Sequence, residues 1–253
     1  MKNLIKKKIL FFAFSVILPL ILSGCFSKNQ DFFGDEVYRE RVLLAAKNYK
    51  DLIKMFKQKL EKKDTPQTRI KLAQYYFKSK DYNSVFYYLR PLIKDKKSTQ
   101  ATMLWAQTLQ TTNKYQDALA ILDDLIKTDK NIPQAYNLRG IIYASEKKFD
   151  LAKKDFLDAK KLFLSDMIIN TNLGMIEILQ QNYAEAINYL MPLYMRGYKD
   201  PKILNNLILA LVKSDKLNAA LEIVQKENLS KSPRKFLRNL QKIKANSNEK
   251  KSL

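Results

Sequence analysis

The chain has 253 residues, with 46 Lys or Arg against 25 Asp or Glu, a formal charge of +21, no histidine and one cysteine. Without histidine there is no Ser-His-Asp or Cys-His nucleophile system, no HExxH zinc site and no imidazole base; a lone cysteine excludes an intramolecular disulfide and a thiolate metal cluster. Five glycines and no GxGxxG or GxxxxGK[ST] run leave little for a phosphate-cradling loop, so the composition argues against an enzyme, a cofactor and a small-molecule substrate.

The first element is an N-terminal segment. Lys2, Lys6, Lys7 and Lys8 make a positive start with no acid in the first 24 residues, and Ile9 to Leu22 is a 14-residue uncharged run. That run is short of the ~20 residues that cross a bilayer and has the length of a signal-peptide core. Leu22-Ser23-Gly24-Cys25 follows and resembles the bacterial lipobox. The resemblance implies that residues 1–24 are removed, that Cys25 carries the lipid, that the mature chain is the 229 residues from Cys25 to Leu253, and that its residues 25–32 form a short tether. Two or more acyl chains, at ~0.8 kcal/mol per buried methylene, hold a protein stably to a membrane. Phe26 and Ser27 follow Cys25 without an aspartate. By the sorting rule of Gram-negative lipoproteins, that points to the outer membrane, lipid-anchored and facing the periplasm.

From residue 33 to 232 one pattern recurs. Asn48-Tyr49, Asp81-Tyr82, Lys114-Tyr115, Lys148-Phe149, Asn182-Tyr183 and Lys216-Leu217 mark turns whose second members are 33, 33, 34, 34 and 34 residues apart. A period of 34 with two helices, A and B, per unit is the tetratricopeptide signature. Small residues stand where A and B would cross closely: Ala73, Ala106 with Ala118, Gly140 with Ala152, and Gly174 with Ala186, while Val85 is larger. Four residues beyond each helix-B position comes a bulky filler: Phe56, Leu89, Leu122, Phe156, Leu190 and Val224. The resemblance implies an all-α fold, a tetratricopeptide-repeat right-handed superhelical solenoid of about six helix-turn-helix units.

Pro66, Pro133 and Pro201 fall where a helix A should start, a place where a missing N–H costs nothing. Pro91 and Pro192 instead fall inside helix B, where proline should kink or end the helix. Glu40 and Ile208 occupy the small-residue position in the terminal units, as caps of an open stack do. Residues 233–253 read as a capping helix and basic tail: Ser232-Pro233 opens a helix whose stripe is Phe236, Leu237, Leu240 and Ile243.

Lys231 to Leu253 holds eight basic residues against Glu249. This is a surface for nucleic acid or anionic lipid, or a solvated exterior in a lysine-rich chain. Aromatic residues at packing positions, not among the basic run, argue against nucleic acid, and the solvated exterior is the expectation.

In tetratricopeptide solenoids helix A lines a concave groove. By that resemblance the partner-binding groove positions are Gln74, Gln107, Gln110, Asn137, Thr171, Met175 and Asn205, with Phe77, Lys78, Ile141 and Leu209 beside them. Amide side chains can pair with a peptide backbone and methionine adapts to apolar side chains. The family's carboxylate clamp is absent, since its positions carry Ile70, Lys71, Gln74, Met103, Leu104 and Gln107.

Gly197 to Leu211, with Ala219-Ala220-Leu221-Glu222 and Phe236-Leu237-Arg238-Asn239-Leu240, resembles the TadD family, the lipoproteins of the tight-adherence (Tad/Flp) pilus assembly machinery. The resemblance implies a pilotin-like scaffold that helps an outer-membrane secretin assemble or localise, with other pilus-assembly proteins as further partners. Another tetratricopeptide envelope lipoprotein, such as a type IV pilus pilotin or a barrel-assembly accessory, is the alternative.

Overall fold

The computed structural model describes residues 32–94 and 98–242, and among these residues there are thirteen α-helices and no strand. Cys25 and Ile243 lie outside the described residues. The chain divides at Gln58 and Lys59 into two compact units.

In the first unit α1 (Phe32–Ala45) is followed by the start of α2 (Tyr49–Lys62). Asn48 fastens the beginning of α2: its side-chain oxygen accepts from the Asp51 N–H at 3.2 Å and its amide donates to Asp51 Oδ2 at 2.7 Å. Such a cap satisfies an N–H that has no partner inside the helix. α2 buries Leu52, Met55 and Phe56, whereas Val37, Tyr38, Val42 and Leu44 of α1 are exposed.

The second unit holds five helical hairpins and a closing helix. They are α3 (Pro66–Lys78) with α4 (Tyr82–Lys94), α5 (Thr99–Thr111) with α6 (Tyr115–Thr128), and α7 (Pro133–Ser145) with α8 (Phe149–Lys161). Then come α9 (Asp166–Leu179) with α10 (Tyr183–Met195), α11 (Pro201–Lys213) with α12 (Leu217–Lys226), and α13 (Pro233–Lys242). Each even-numbered helix up to α12 begins at the aromatic or aliphatic residue that set the period. The fold is the tetratricopeptide superhelix that the period implies.

The close crossings follow the expected register. A Cβ on Gly140 would stand 2.7 Å from Phe156 Cε1 and 3.2 Å from the Ala152 carbonyl, and one on Gly174 would stand 2.8 Å from Leu190 Cγ. Ala73, Val85, Ala106, Ala118, Ala152, Ala186 and Ala220 are fully buried, as are the fillers Leu89, Leu122, Leu190 and Val224. Pro66, Pro133, Pro201 and Pro233 each open a helix. Thr65, Ser98 and Asp200 cap α3, α5 and α11 by accepting backbone N–H bonds from Thr68, Ala101 and Lys202.

Pro91 and Pro192 do not end their helices; α4 and α10 each run three residues past them. Each proline removes one hydrogen bond near the C-terminus, where the last turn holds with the bonds that remain. Leu237 of α13 is buried against α11 and α12, with Phe236 and Leu240 packed beside it, so α13 covers the end of the stack.

Candidate partner-binding face

Within the second unit every helix packs on the next, and each odd-numbered helix also reaches the next odd-numbered one; among the described residues the backbones of even-numbered helices stay apart, and α10 and α12 meet only through side chains, as where Lys226 lies over the Tyr194 ring. Crowding on one side and splay on the other put α3, α5, α7, α9 and α11 on the inner side of the curve. All the expected groove residues sit on these helices: Gln74 on α3, Gln107 and Gln110 on α5, Asn137 on α7, Thr171 and Met175 on α9, and Asn205 on α11. Gln107, Met175 and Asn205 are exposed; Gln74, Gln110, Asn137 and Thr171 are half-buried.

Between α3 and α5 the face opens into a depression of about 700 Å³ whose lining includes Gln74, Phe77, Lys78, Met103, Gln107 and Thr111. With Gln100 and Lys80 also in its lining, this couples three amide side chains to an apolar floor and two cations, a mixture that can take a peptide by backbone pairing and side-chain burial. Gln110 and the candidates on α7, α9 and α11 lie outside that depression.

Two candidates are committed to the chain itself. Asn137 Oδ1 accepts from Asn172 Nδ2 at 2.8 Å, joining α7 to α9. Thr171 Oγ1 donates to its own helix at Met167 O, 2.6 Å away. Asn172 was not among the expected residues, and its 35-residue separation from Asn137, one beyond the repeat, is the sequence trace of that bond.

Three acids of α6, α8 and α9 are engaged in structure. Arg139 donates from Nε and Nη2 to both oxygens of Asp155, at 2.8 and 2.7 Å, and from Nη1 to Asp123 at 2.6 Å. Its guanidinium also lies over the rings of Tyr136 and Tyr143. The hydrogen bonds to Asp155 hold Arg139 even further above neutrality than its ordinary value, against the opposing effect of its burial. Glu177, buried, pairs with Lys153 at 2.6 Å and accepts from Asn182 at 2.9 Å. Tyr76 is stacked on Tyr88, and burial is the largest cause of its phenol being pushed up to about 12, so it remains a neutral hydroxyl.

One expectation fails. The aromatic residues do not all serve repeat packing: Phe163 is 96% exposed and Tyr87 68%. Phe163 follows the end of α8, a turn position on which the 34-residue pattern places no demand.

Residues 45–125 match a family profile described as anaphase-promoting complex, cyclosome, subunit 3, and residues 133–165 match the tetratricopeptide repeat. Among curated proteins the chain is similar to the TPR repeat-containing protein YpiA of Bacillus subtilis, 26% identical over 91 residues, which is 36% of this chain. The matched stretch spans 22% of YpiA's own length. Among solved structures the chain resembles TTC0263, a thermophilic TPR protein of Thermus thermophilus, with a TM-score of 0.61 and 17% identity over 71% of this chain and 98% of that one. It also resembles pilF of Pseudomonas aeruginosa, with a TM-score of 0.61 and 15% identity over 81% of this chain and 96% of that one. At such identities the likeness is one of fold.

Proposed function

We propose that the chain, a tetratricopeptide-repeat protein and hence a scaffold for binding other proteins, is an outer-membrane lipoprotein serving tight-adherence (Flp) pilus assembly. In this reading it holds a segment of the secretin along the odd-helix face and helps secretin subunits localise or multimerise. The observation that carries the binding role is the continuous inner face of five helices, opened between α3 and α5 into a depression with Gln74 and Gln107 on its walls. The anchor rests on Leu22-Ser23-Gly24-Cys25, and the pilus assignment on the resemblance of Gly197 to Leu211 to the TadD lipoproteins.

The test is genetic and biochemical together. Deletion should leave pilin synthesis intact while secretin multimers and surface pili are lost. Restoring the chain as Gln74→Ala, Gln107→Ala and Asn205→Ala should return a folded, acylated protein that still fails to support multimers. Cys25→Ser should abolish fatty-acid labelling. Normal secretin multimers in the deletion strain would overturn the assignment. A locus without prepilin, secretin and secretion-ATPase genes of the tight-adherence type would favour a type IV pilus pilotin or a barrel-assembly accessory.

A further inference from the structure

Up-and-down helices send every turn from an odd to an even helix to one edge of the second unit, and every turn from an even to an odd helix to the other. The two edges differ in chemistry. The odd-to-even turns, 79–81, 112–114, 146–148, 180–182 and 214–216, contain only polar residues. On the opposite edge Phe163, Tyr198 and Leu229 stand exposed in three successive turns, with Met195 at the end of α10 beside the second. At the polar edge the exposed apolar residues are Leu179, the last residue of α9, and Leu151, in the first turn of α8, and none stands in a turn.

Phe163 is the informative residue. It closes α8 in the left-handed region at φ 62°, its N–H on the Lys160 carbonyl and the Leu164 N–H on the Ala159 carbonyl. The corresponding closures of α10 and α12 use Gly197 and Asn228, residue types that adopt this conformation readily. The fold would accept either at 163. A phenylalanine there strains its Cβ and leaves its ring in water, so neither local conformation nor packing accounts for it. A ring held against both preferences calls for something outside the chain that covers it.

The charges farther along the same edge identify that occupant. Arg196, Lys202, Lys231, Arg234 and Lys235 flank the Tyr198 and Leu229 turns and have no carboxylate partner among the described residues, whereas Lys160 and Lys161 beside Phe163 pair with Asp166 and Asp158 and Lys199 pairs with Glu227. Arg234 and Lys235 also border an open depression of about 380 Å³ on this edge, lined as well by Gln225 and Ser232. The apolar groups project singly, one turn at a time, and from the end of α10 onward they stand among cations without a carboxylate partner among the described residues. A flat, fluid, anionic surface accepts such separate tips without a shaped pocket for each: apolar ends enter the acyl boundary while basic side chains reach phosphates. We infer that the even-to-odd edge of α8 to α13 is a membrane-contact surface for anionic phospholipid, distinct from the odd-helix groove and additional to the anchor proposed at Cys25.

The test uses the full chain with Trp105→Phe and Phe163→Trp, whose sole indole then reports position 163, held in vesicles by its own N-terminus. In phosphatidylglycerol-containing vesicles with brominated acyl chains the emission should shift to the blue and be quenched roughly twofold or more, since the indole enters the acyl boundary. Phosphatidylcholine vesicles, or salt at ~0.5 M, should remove most of the effect by removing or screening the charge attraction. In the unsubstituted chain Trp105, half-buried on α5, should stay unquenched. An indole at 163 that remains water-exposed and unquenched in anionic vesicles overturns the inference. So does equal quenching at Trp105, or shielding that arises only when a partner protein is added. A helical spectrum and the thermal midpoint show that the variant is folded. Secretin multimers supported by a Gln74→Ala, Gln107→Ala and Asn205→Ala chain report on the groove separately, so failure of one reading is not failure of the other.

Discussion

In α3 to α6 the helices cross at Ala73 with Val85 and at Ala106 with Ala118, and half-buried rings fill the space around them. Tyr76 stacks on Tyr88 at 5.4 Å, and Phe86 meets Trp105 edge-on at 4.7 Å. In α7 to α10 the small residues are Gly140 with Ala152 and Gly174 with Ala186, the fillers press on bare Cα atoms, and two buried acids, Asp155 and Glu177, are paired with Arg139 and Lys153. The same hairpin is therefore reached by adaptable apolar area in one region and by tight steric fit with paired charge in the other. Apolar area tolerates exchange of one ring for another hydrophobe, whereas a tight crossing and a buried ion do not. Fragility should be concentrated in α7 to α10.

Removing a buried partner is the severest way to break this contrast. Arg139→Leu leaves the buried Asp155 carboxylate without its two bonds and should cost about 3–5 kcal/mol in denaturant unfolding. Arg139→Leu combined with Asp155→Leu should regain most of that loss, because no uncompensated charge remains. The matching change in the aromatic region, Phe86→Leu, should cost less than about 1.5 kcal/mol. A double variant as unstable as Arg139→Leu alone would show that the ion pair is not what matters there.

The second contrast lies inside the tight region. At Gly140 an added methyl meets a buried phenyl ring and the Ala152 backbone carbonyl, neither of which can move freely; at Gly174 the three nearest atoms all belong to the branched end of Leu190, at 2.8–3.1 Å. Gly140→Ala should cost about 1–3 kcal/mol by overpacking. Gly174→Ala should come out near neutral, since a small shift of Leu190 is offset by the roughly 1 kcal/mol gain of alanine over glycine in a helix. Equal thermal midpoints for the two variants would mean that α7 and α9 make their crossings alike.

The sequence displayed the repeat register because packing imposes it at fixed intervals: the aromatic or aliphatic residue at the start of each even helix and the filler seven after it recur throughout, and the small residue nine before it recurs in the inner units. It did not display the Arg139–Asp155–Asp123 network, which depends on how three neighbouring helices bring residues 16 apart together and appears once. Placement of the groove residues on odd helices followed from the register, but the freedom of their polar atoms did not. Asn137 turned out bonded to Asn172 and Thr171 to its own backbone. Phe163 was missed for a related reason: exposure of a turn residue leaves no periodic trace.

The smallest expected effect concerns the turns that join the two kinds of helix. Lys47, Lys80, Asn113, Lys147, Gln181 and Asp215 all have φ between 54° and 66°, one per hairpin, and none is the glycine that usually ends a helix this way. Their hydrogen bonds show why the conformation persists: the Lys147 N–H reaches the Ala144 carbonyl and the Lys148 N–H reaches that of Tyr143, at 3.0 and 2.8 Å, so straightening the turn would orphan two groups. A lysine in this region carries a steric penalty of roughly 1–2 kcal/mol that glycine does not, whereas asparagine enters it more readily. Glycine gives back part of the difference through the greater freedom of its unfolded chain, about 0.4–1 kcal/mol. Lys147→Gly should therefore stabilise the α7–α8 hairpin by up to about 1 kcal/mol, and Asn113→Gly at the equivalent α5–α6 turn should change little. Thermal unfolding of the two variants beside the unsubstituted chain measures the difference. If Lys147→Gly lowers the midpoint, the lysine side chain is making a contribution at that turn that outweighs its strain, and the two turns are not equivalent in the way their backbone angles imply.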